Sequence, residues 1–344
     1  MILTALAAVL SVSAPSQGEG VLLARVHKMG EKLEYSIKSS LSAQHRQRGL
    51  ETWIPEDFDI NYGFTTEVKA LKADGIADMI YKRPTMTMIT GETFDSPPKT
   101  EVEKTNLNFL MTVSPANEIL GTKDLNPPKK ETPKKKGGSA LWRTSAAGRQ
   151  IPMIGQFIQE IHRLSLFAGS FDSSLDFSPR FPFQKLKVGD TWKRTVGYSP
   201  QKLKGKDGKT VVQRLDYTYT YKGVVDSNGK KVQRVEGDCV LNSDLATFIN
   251  ETFDVNSDVT GLKTIPLKFK AHIDFDLDPA TMKTLTAIAQ TEGGFQVIIT
   301  DFPNDPVEEE TFKGRTVLSL TKATIVKQPG AKTTPSKKTG SKSG

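Results

Sequence analysis

The chain has 344 residues, enough for one large domain or two of ordinary size with a sizeable core. Its net charge of +8 resides in two polar segments: residues 327–344 contribute +5 and residues 123–138 contribute +4, which leaves −1 for everything else. A nearly neutral body argues against a basic nucleic-acid-binding face, and the single cysteine, Cys239, excludes an intrachain disulfide and a cysteine-rich metal site.

An apolar run at residues 2–12 lies at the start of the chain. It is too short to span a bilayer but has the length of a signal-peptide core, and Ala14 and Ser16 fit the −3 and −1 positions of a cleavage site. We therefore expect residues 1–18 to be a signal peptide and the protein to be secreted, periplasmic or in the cell envelope. The alternative is a buried N-terminal strand or helix in a cytoplasmic protein. No later segment approaches transmembrane length.

Residues 19–122 are predicted to form a first β unit. Residues 57–65 place apolar side chains at every second position, the pattern of a half-buried antiparallel strand. A hairpin turn at 73–75 follows, and a second alternating strand at 107–113 ends at the Pro115 turn.

Residues 123–150 are predicted to be a Lys- and Pro-rich flexible linker, because residues 126–138 contain three prolines and no apolar side chain. The connector at 151–180 carries the one predicted helix, at about 153–168. Its apolar residues recur at helical spacing, at Ile154, Phe157, Ile158, Ile161 and Leu164. The opposite face has little positive charge, which favours packing against a sheet over binding to a membrane surface.

Residues 181–326 are predicted to form a second β unit, and residues 327–344 a disordered basic tail. The unit begins with Phe-Pro, a Gly189-Asp190 turn and a strand carrying Trp192. A Tyr-rich strand and an Asn-Gly hairpin at 228–229 follow, and residues 267–277 then alternate over a long strand.

Three features recur in the same order in both units, which indicates an internal duplication. The matched pairs are Gly30 and Gly189, Gly75 and Gly229, and Pro115 and Pro279, which are 159, 154 and 164 residues apart. Insertions and deletions in loops would account for the differences between these separations. The alternative is chance resemblance between β-rich segments.

One strand face carries His272, Asp274 and Asp276, a weak candidate for a cation site. Side chains two residues apart on a strand are separated by about 6.5–7 Å, so a solvated face is the favoured interpretation. Residues 203–210 imitate a phosphate-binding loop but have Leu203 where glycine is needed and no helix pattern after them. No hydrolase, metalloprotease or dinucleotide motif occurs, so no cofactor is expected and enzyme activity is not indicated.

The segment KVGDTW (187–192), the Tyr-rich strand, the Asn-Gly hairpin and DFDLDP (274–279) together resemble a loosely defined group of uncharacterised bacterial exported proteins and lipoproteins. In that group, G-D-x-W stretches open repeated β-rich units. The resemblance covers residues 181–326 and, more faintly, 22–121, and the chain lacks the lipobox cysteine of many members. The resemblance implies a compartment and an architecture only, because the group has no established activity.

The predicted fold is mainly β (α+β): two related antiparallel β-sheet units with one amphipathic helix packed on a sheet. The predicted function is a non-enzymatic envelope protein that binds an apolar small molecule or a protein partner between a curved sheet and the helix. The alternative is a structural or adhesion module whose Lys-rich tail and loop bind anionic envelope polymers. The groove candidates are Phe157, Ile161, Leu164 and Trp192.

Overall fold

The computed structural model describes residues 20–91, 97–126, 142–144, 150–152, 178–198, 213–244, 246 and 261–326. These residues form eighteen β-strands: β1 Val21–Leu22, β2 Glu31–Gln47, β3 Ile54–Leu71, β4 Ala77–Arg83, β5 Met86–Thr90, β6 Lys99–Glu103, β7 Leu107–Val113, β8 Ile119–Asp124, β9 Trp142–Thr144, β10 Gln150–Pro152, β11 Lys185–Leu186, β12 Thr191–Tyr198, β13 Gln213–Ser227, β14 Lys230–Asp244, β15 Leu262–Thr264, β16 Pro266–Leu277, β17 Thr284–Ile299 and β18 Glu308–Ile325.

The prediction of a mainly β, antiparallel fold is confirmed, but the predicted helix is not seen. The helix segment at about 153–168, with the groove candidates Phe157, Ile161 and Leu164, lies outside the described residues. So do the predicted signal peptide at 1–18, most of the linker at 123–150 and the tail at 327–344. No helix in the described part of the chain has the length and apolar character needed to cross a membrane.

Fourteen of the strands form one antiparallel sheet to which both predicted units contribute. Eleven lie side by side in the order β12-β13-β14-β16-β17-β18-β2-β3-β4-β7-β8, while β5, β6 and β15 pair along its sides. The two units join where β18 pairs with β2 along their whole length, from Glu308 opposite Gln47 to Ile325 opposite Glu31. Because strand order follows chain order within each unit, most connections are hairpins.

The sheet is strongly curved, as the approach of its two edge strands at one end shows. Eleven strands spaced about 4.8 Å apart would place β12 and β8 about 48 Å from each other in a flat sheet. Instead Arg194 of β12 lies 3.7 Å from Glu118, the residue immediately before β8. The curvature gives the sheet an inner face of apolar side chains and an outer face of polar ones. Along β2, for example, the odd-numbered residues from Leu33 to Ala43 are buried.

Strand β17 is continuous over Thr284–Ile299, although its apolar alternation is interrupted at Gly293 and Gly294. Neighbouring groups come so close to both glycines that a side chain has no space there. Cys239 lies on the inner face at 1% exposure, and burial raises the pKa of its thiol to about 12, as expected of an inert cysteine.

Replacing Gly293 with alanine tests this close approach. A Cβ at position 293 would lie 2.6 Å from the Phe312 ring and against the Lys268 carbonyl, so we expect Gly293→Ala to lower the free energy of unfolding by about 1–3 kcal/mol. The matched control is Gly121→Ala on the edge strand β8, where an added Cβ meets nothing within 4 Å. Urea denaturation checks both; equal stability of the two variants would contradict the packing described for β17.

Candidate functional site

Two segments cross one end of the curved sheet. They are residues 20–30, which lead into β2, and residues 178–190, which lead into β12; we call them the entry segments. They pair with each other through β1 and β11, with Val21 opposite Leu186 and Leu22 opposite Lys185. Three apolar side chains of the entry segments, Leu23, Phe181 and Leu186, are almost fully buried. The entry segments therefore cover the inner face at this end.

Both entry segments end in a glycine turn of the same design. Gly30 and Gly189 adopt positive φ values of 71° and 92°, a region that favours glycine. The Gly30 N–H donates to the Val68 carbonyl at the far end of β3, and the Gly189 N–H donates to the Tyr221 carbonyl of β13. Each glycine thus joins its entry segment to the second strand of its own unit. This geometry agrees with the proposed duplication, which itself stays a prediction.

Arg25 connects the first entry segment to several parts of the structure. Its guanidinium lies 2.5 Å from the Glu31 carboxylate and donates to the carbonyls of Thr281 and Val26. Arg25 and Glu31 are 6% and 4% exposed, so the pair is shielded from solvent. The backbone N–H of Arg25 also donates to Pro115, which lies between β7 and β8. One residue therefore connects turns that belong to different units.

Arg180 and Trp192 perform the matching task in the second entry segment. The Arg180 side chain donates to the Asn117 carbonyl, while its own carbonyl accepts a hydrogen bond of 2.6 Å from the Trp192 indole. The Phe181 N–H donates to the Ala116 carbonyl. Trp192 is 7% exposed and stacks on Tyr219 at 5.4 Å. It is a packing residue beside the entry segment.

A cavity of about 70 Å³ lies between the entry segments and the inner face; we call it the inner cavity. Seven strands reach it, from β2, β3, β4, β7 and β8 to β17 and β18. Its apolar wall consists of Leu33, Phe64, Met79, Met111, Val113, Ile119 and Leu318. Its polar side consists of Arg25, His27, Tyr35, Thr66, Asn117, Ser178, Arg180 and Thr284.

His27 and Tyr35 are both neutral groups within the inner cavity. Burial, assisted by the nearby Arg25 cation, lowers the pKa of His27 to about 3, so this imidazole is neutral at pH 7. Burial raises the pKa of Tyr35 above that of an ordinary phenol, and its hydroxyl donates to the Thr284 carbonyl at 3.0 Å. The cavity therefore combines guanidinium cations with neutral hydrogen-bonding groups.

Stacked aromatic rings extend across the inner face next to the cavity. Tyr35, Phe64, Tyr81 and Phe109, from four adjacent strands, follow one another with ring centroids 5.0, 5.3 and 4.7 Å apart. Such rings form a rigid apolar wall, since stacking adds to the free energy of burying their area. Further along the inner face is the buried Glu310, whose pKa is raised to about 9 by burial and by the Glu56 carboxylate.

The residues nominated for a cation site are not assembled into one. His272 contacts Asp238 on the neighbouring strand at 2.8 Å, and Asp276 is bound by Arg234 at 2.8 Å. Asp274 lies 3.7 Å from the other His272 ring nitrogen. Within the residues that the structure describes, no group of three or more His, Cys, Asp or Glu side chains is arranged to hold a metal ion.

Sequence reasoning missed Arg25, His27 and Arg180. A signal for the first two was present, because residues 22–27 (LLARVH) place two basic residues within an otherwise apolar run. A cation in such a run is buried only when it is paired, so Glu31 was the partner to look for. Arg180 gave no comparable signal, since it follows a polar stretch.

No protein-family model matches the sequence, and no curated protein matches it. Among solved structures, the chain is similar to lipovitellin, in a structure concerned with lipid–protein interactions, at 10% identity and a TM-score of 0.37. That match covers 88% of this chain but only 26% of lipovitellin, so the chain spans about a quarter of that protein.

Two other solved structures are similar over most of their own length. DynF of the dynemicin biosynthesis pathway of Micromonospora chersina matches at 9% identity, with 92% of each chain covered and a TM-score of 0.21. A putative outer membrane lipoprotein-sorting protein domain from Vibrio parahaemolyticus matches at 8% identity, with coverages of 86% and 87% and a TM-score of 0.16. TM-scores this low give none of these likenesses weight in deciding function.

Removing Arg25 tests its role in holding the first entry segment. Arg25→Leu leaves the Glu31 carboxylate buried without its cation, so we expect the free energy of unfolding to fall by about 3–5 kcal/mol. The double variant Arg25→Leu/Glu31→Leu removes both charges and should recover part of the loss. Urea denaturation distinguishes the two. A cost below about 1 kcal/mol for Arg25→Leu would mean that the pair does not hold the segment.

The lowered pKa of His27 predicts that this residue costs stability in weak acid. The unfolded chain takes up a proton near pH 6.5, whereas folded His27 stays neutral down to about pH 3, so the His27 contribution to stability falls as the pH decreases between these values. That contribution changes by about 1.4 kcal/mol for each pH unit, whereas the raised pKa of Glu310 acts in the opposite direction in both wild type and variant. Relative to wild type, His27→Gln should therefore gain stability as the pH falls from about 6.5 to 5, where few carboxylates titrate. Parallel stability profiles for wild type and variant would disprove the assignment.

Proposed function

We propose that the protein is an exported or cell-envelope protein that binds an apolar ligand with one polar end in the inner cavity. The observation that supports this most is the composition of the cavity, in which an apolar wall faces a polar side that carries two guanidinium groups. Ligand sites in proteins combine apolar walls with placed polar groups, and His27 adds a strongly shifted pKa. The apolar run at residues 2–12, predicted to be the core of a signal peptide, supports the location.

The apolar wall suits a flexible hydrocarbon chain. Met79 and Met111 lie beside Phe64 and Leu318, and methionine adapts its shape to irregular apolar surfaces. The polar end of the ligand would face Arg25 and Arg180, whose guanidinium groups match a carboxylate or phosphate. A long-chain fatty acid has both parts and is the simplest ligand of this class.

The cavity is too small for such a ligand without movement. Its 70 Å³ compares with about 300–1,000 Å³ for sites that hold drug-sized molecules. The element that would have to move is the first entry segment, which covers the cavity. Its backbone is held by the two-residue ladder with β11, by the Arg25 bond to Pro115 and the Val26 bond to Thr281, and by the Gly30 bonds to Val68 and Val326. Displacing it also breaks the Arg25 side-chain bonds to Glu31 and Thr281. We propose that ligand entry displaces this segment from the inner face.

We propose a binding role rather than an enzymatic one. The pKa of about 3 makes His27 a weak base, and outside the cavity the Cys239 thiol keeps its proton because burial raises its pKa to about 12. Of the groove candidates, Trp192 packs beside the second entry segment and is not among the residues that line the inner cavity. Phe157, Ile161 and Leu164 lie outside the described residues.

Filling the cavity tests the proposal. The purified full-length protein is titrated with a fluorescent fatty acid, and unlabelled palmitate is then added to displace it. Val113→Phe extends a ring into the cavity and should weaken binding at least about tenfold, because the ring occupies the ligand's volume. The matched control Val102→Phe places the same ring on the exposed strand β6 and should bind as wild type does.

A second cavity variant, Leu318→Phe on β18, protects the test against a folding defect in the first. Thermal melting of each variant establishes that it is folded. Binding by folded Val113→Phe and Leu318→Phe with wild-type affinity would refute the inner cavity as the site. Absence of binding by the wild-type protein would refute the ligand class.

A further inference from the structure

A second concave site lies on the outer face of the sheet, away from the entry segments. It is a groove of about 550 Å³ that crosses β14, β16, β17, β18 and β2, and we call it the outer groove. This volume falls within the range of about 300–1,000 Å³ that is usual for small-molecule sites. The outer groove is thus large enough for a ligand as it stands, unlike the inner cavity.

The strand register explains why a groove forms there. Outward-facing residues of the five strands align in two neighbouring rows. One row contains Val240, Lys270, Glu292, Lys313 and Ser42. The other contains Asn242, Lys268, Gly294, Thr311 and Gln44. Gly294 occupies the centre of the second row, so long side chains surround a position that has none.

The backbone at the centre of the groove leaves no space for a side chain. A Cβ at Gly294 would meet the Glu310 carbonyl, and one at Gly293 would meet the Phe312 ring on the inner side. The floor of the outer groove therefore includes bare main chain, together with Phe269 and Phe312 of the two flanking strands. The close contacts at both glycines fix the shape of this depression.

The walls of the outer groove carry an excess of positive charge. They contain three lysines, Lys268, Lys270 and Lys313, and a single acid, Glu292, whose carboxylate lies 3.6 Å from the Lys270 ammonium. Among the described residues no carboxylate forms an ion pair with Lys268 or Lys313. The net wall charge of +2 contrasts with the charge of −1 carried by the chain outside its two Lys-rich segments.

The spacing of the lysines suits one compact anion. Lys268 and Lys270 are two residues apart on β16, so their backbone positions are about 6.5–7 Å apart. The backbone of Lys313 lies two strands away from that of Lys270, at about 10 Å. Flexible side chains of this length are able to converge over the bare floor from both sides. The surrounding hydroxyl and amide groups of Ser42, Thr311, Gln44 and Asn242 provide further hydrogen bonds to oxygen atoms.

We propose that the outer groove binds a phosphate-bearing ligand. Several ammonium groups bind a phosphate more strongly than they bind a single carboxylate. The reason is that a phosphate carries up to two negative charges and has more acceptor oxygens. The chemistry is shared by two sources, a free phosphorylated molecule and the headgroup of an anionic phospholipid. This site goes beyond the proposed ligand of the inner cavity and does not depend on it.

The test measures binding of two probes to the full-length protein at low salt. Inorganic pyrophosphate, by isothermal titration calorimetry, represents the free source; sedimentation with phosphatidylglycerol vesicles, with phosphatidylcholine vesicles as the blank, represents the headgroup. The variant Lys268→Gln/Lys270→Gln/Lys313→Gln should weaken binding of at least one probe about tenfold or more. Glu292→Gln should strengthen that binding several-fold, since it removes the competing carboxylate.

A matched variant separates the groove from net charge. Lys38→Gln/Lys82→Gln/Lys322→Gln removes the same number of charges from exposed strand positions outside the groove and should bind as wild type does. Binding of pyrophosphate alone assigns a free phosphate, and binding of the vesicles assigns a headgroup; either supports the site. Equal losses in the two triple variants, unchanged binding in the groove variant, or no binding of either probe would overturn the proposal.

Discussion

The structure depends on closure of a long sheet at one end, and the buried Arg25–Glu31 pair is central to that closure. An eleven-strand sheet with open edges exposes unpaired backbone groups and leaves its apolar face without cover. Here one guanidinium reaches the Glu31 carboxylate at the start of β2 and the Thr281 carbonyl between β16 and β17. The backbone of the same residue reaches Pro115 beside the opposite edge. A buried charge is tolerated at this position because it is paired with Glu31, and the bonds of Arg25 to Thr281 and Pro115 join different parts of the sheet.

Closure also positions the two sites. The entry segments cover the inner face where the aromatic row from Tyr35 to Phe109 ends, and this leaves a small cavity with polar groups on one side. On the outer face, the close packing of Phe312 beneath Gly293 leaves bare backbone between the lysines of neighbouring strands. One site lies between the entry segments and the inner face and has an apolar wall, whereas the other lies on the outer face and is cationic, so the two call for different ligands and different experiments.

Much of the fold was predictable because strand periodicity and turn chemistry are local properties. The alternation at 57–65 and 267–277 and the glycine turns at Gly30 and Gly189 all correspond to strands or turns of the structure. The candidate site was less accessible, because its residues come from seven strands and two entry segments that are distant in sequence. Arg25 and Thr281, for example, are 256 residues apart. The pattern within one strand carries no information on such pairs. For the same reason, the sequence suggested a cation site at His272 and Asp276, although each is bound by a residue of a neighbouring strand.

The central claim is that an apolar ligand enters the inner cavity by displacing the first entry segment. Hydrogen–deuterium exchange of the full-length protein, with and without saturating palmitate, tests it most directly because it reports on each segment separately. The account predicts that palmitate changes exchange at residues 20–30 and at the β7–β8 turn to which they bind, while the paired centre of β2 and β18 stays protected. Unchanged exchange at residues 20–30 under saturating palmitate would contradict it.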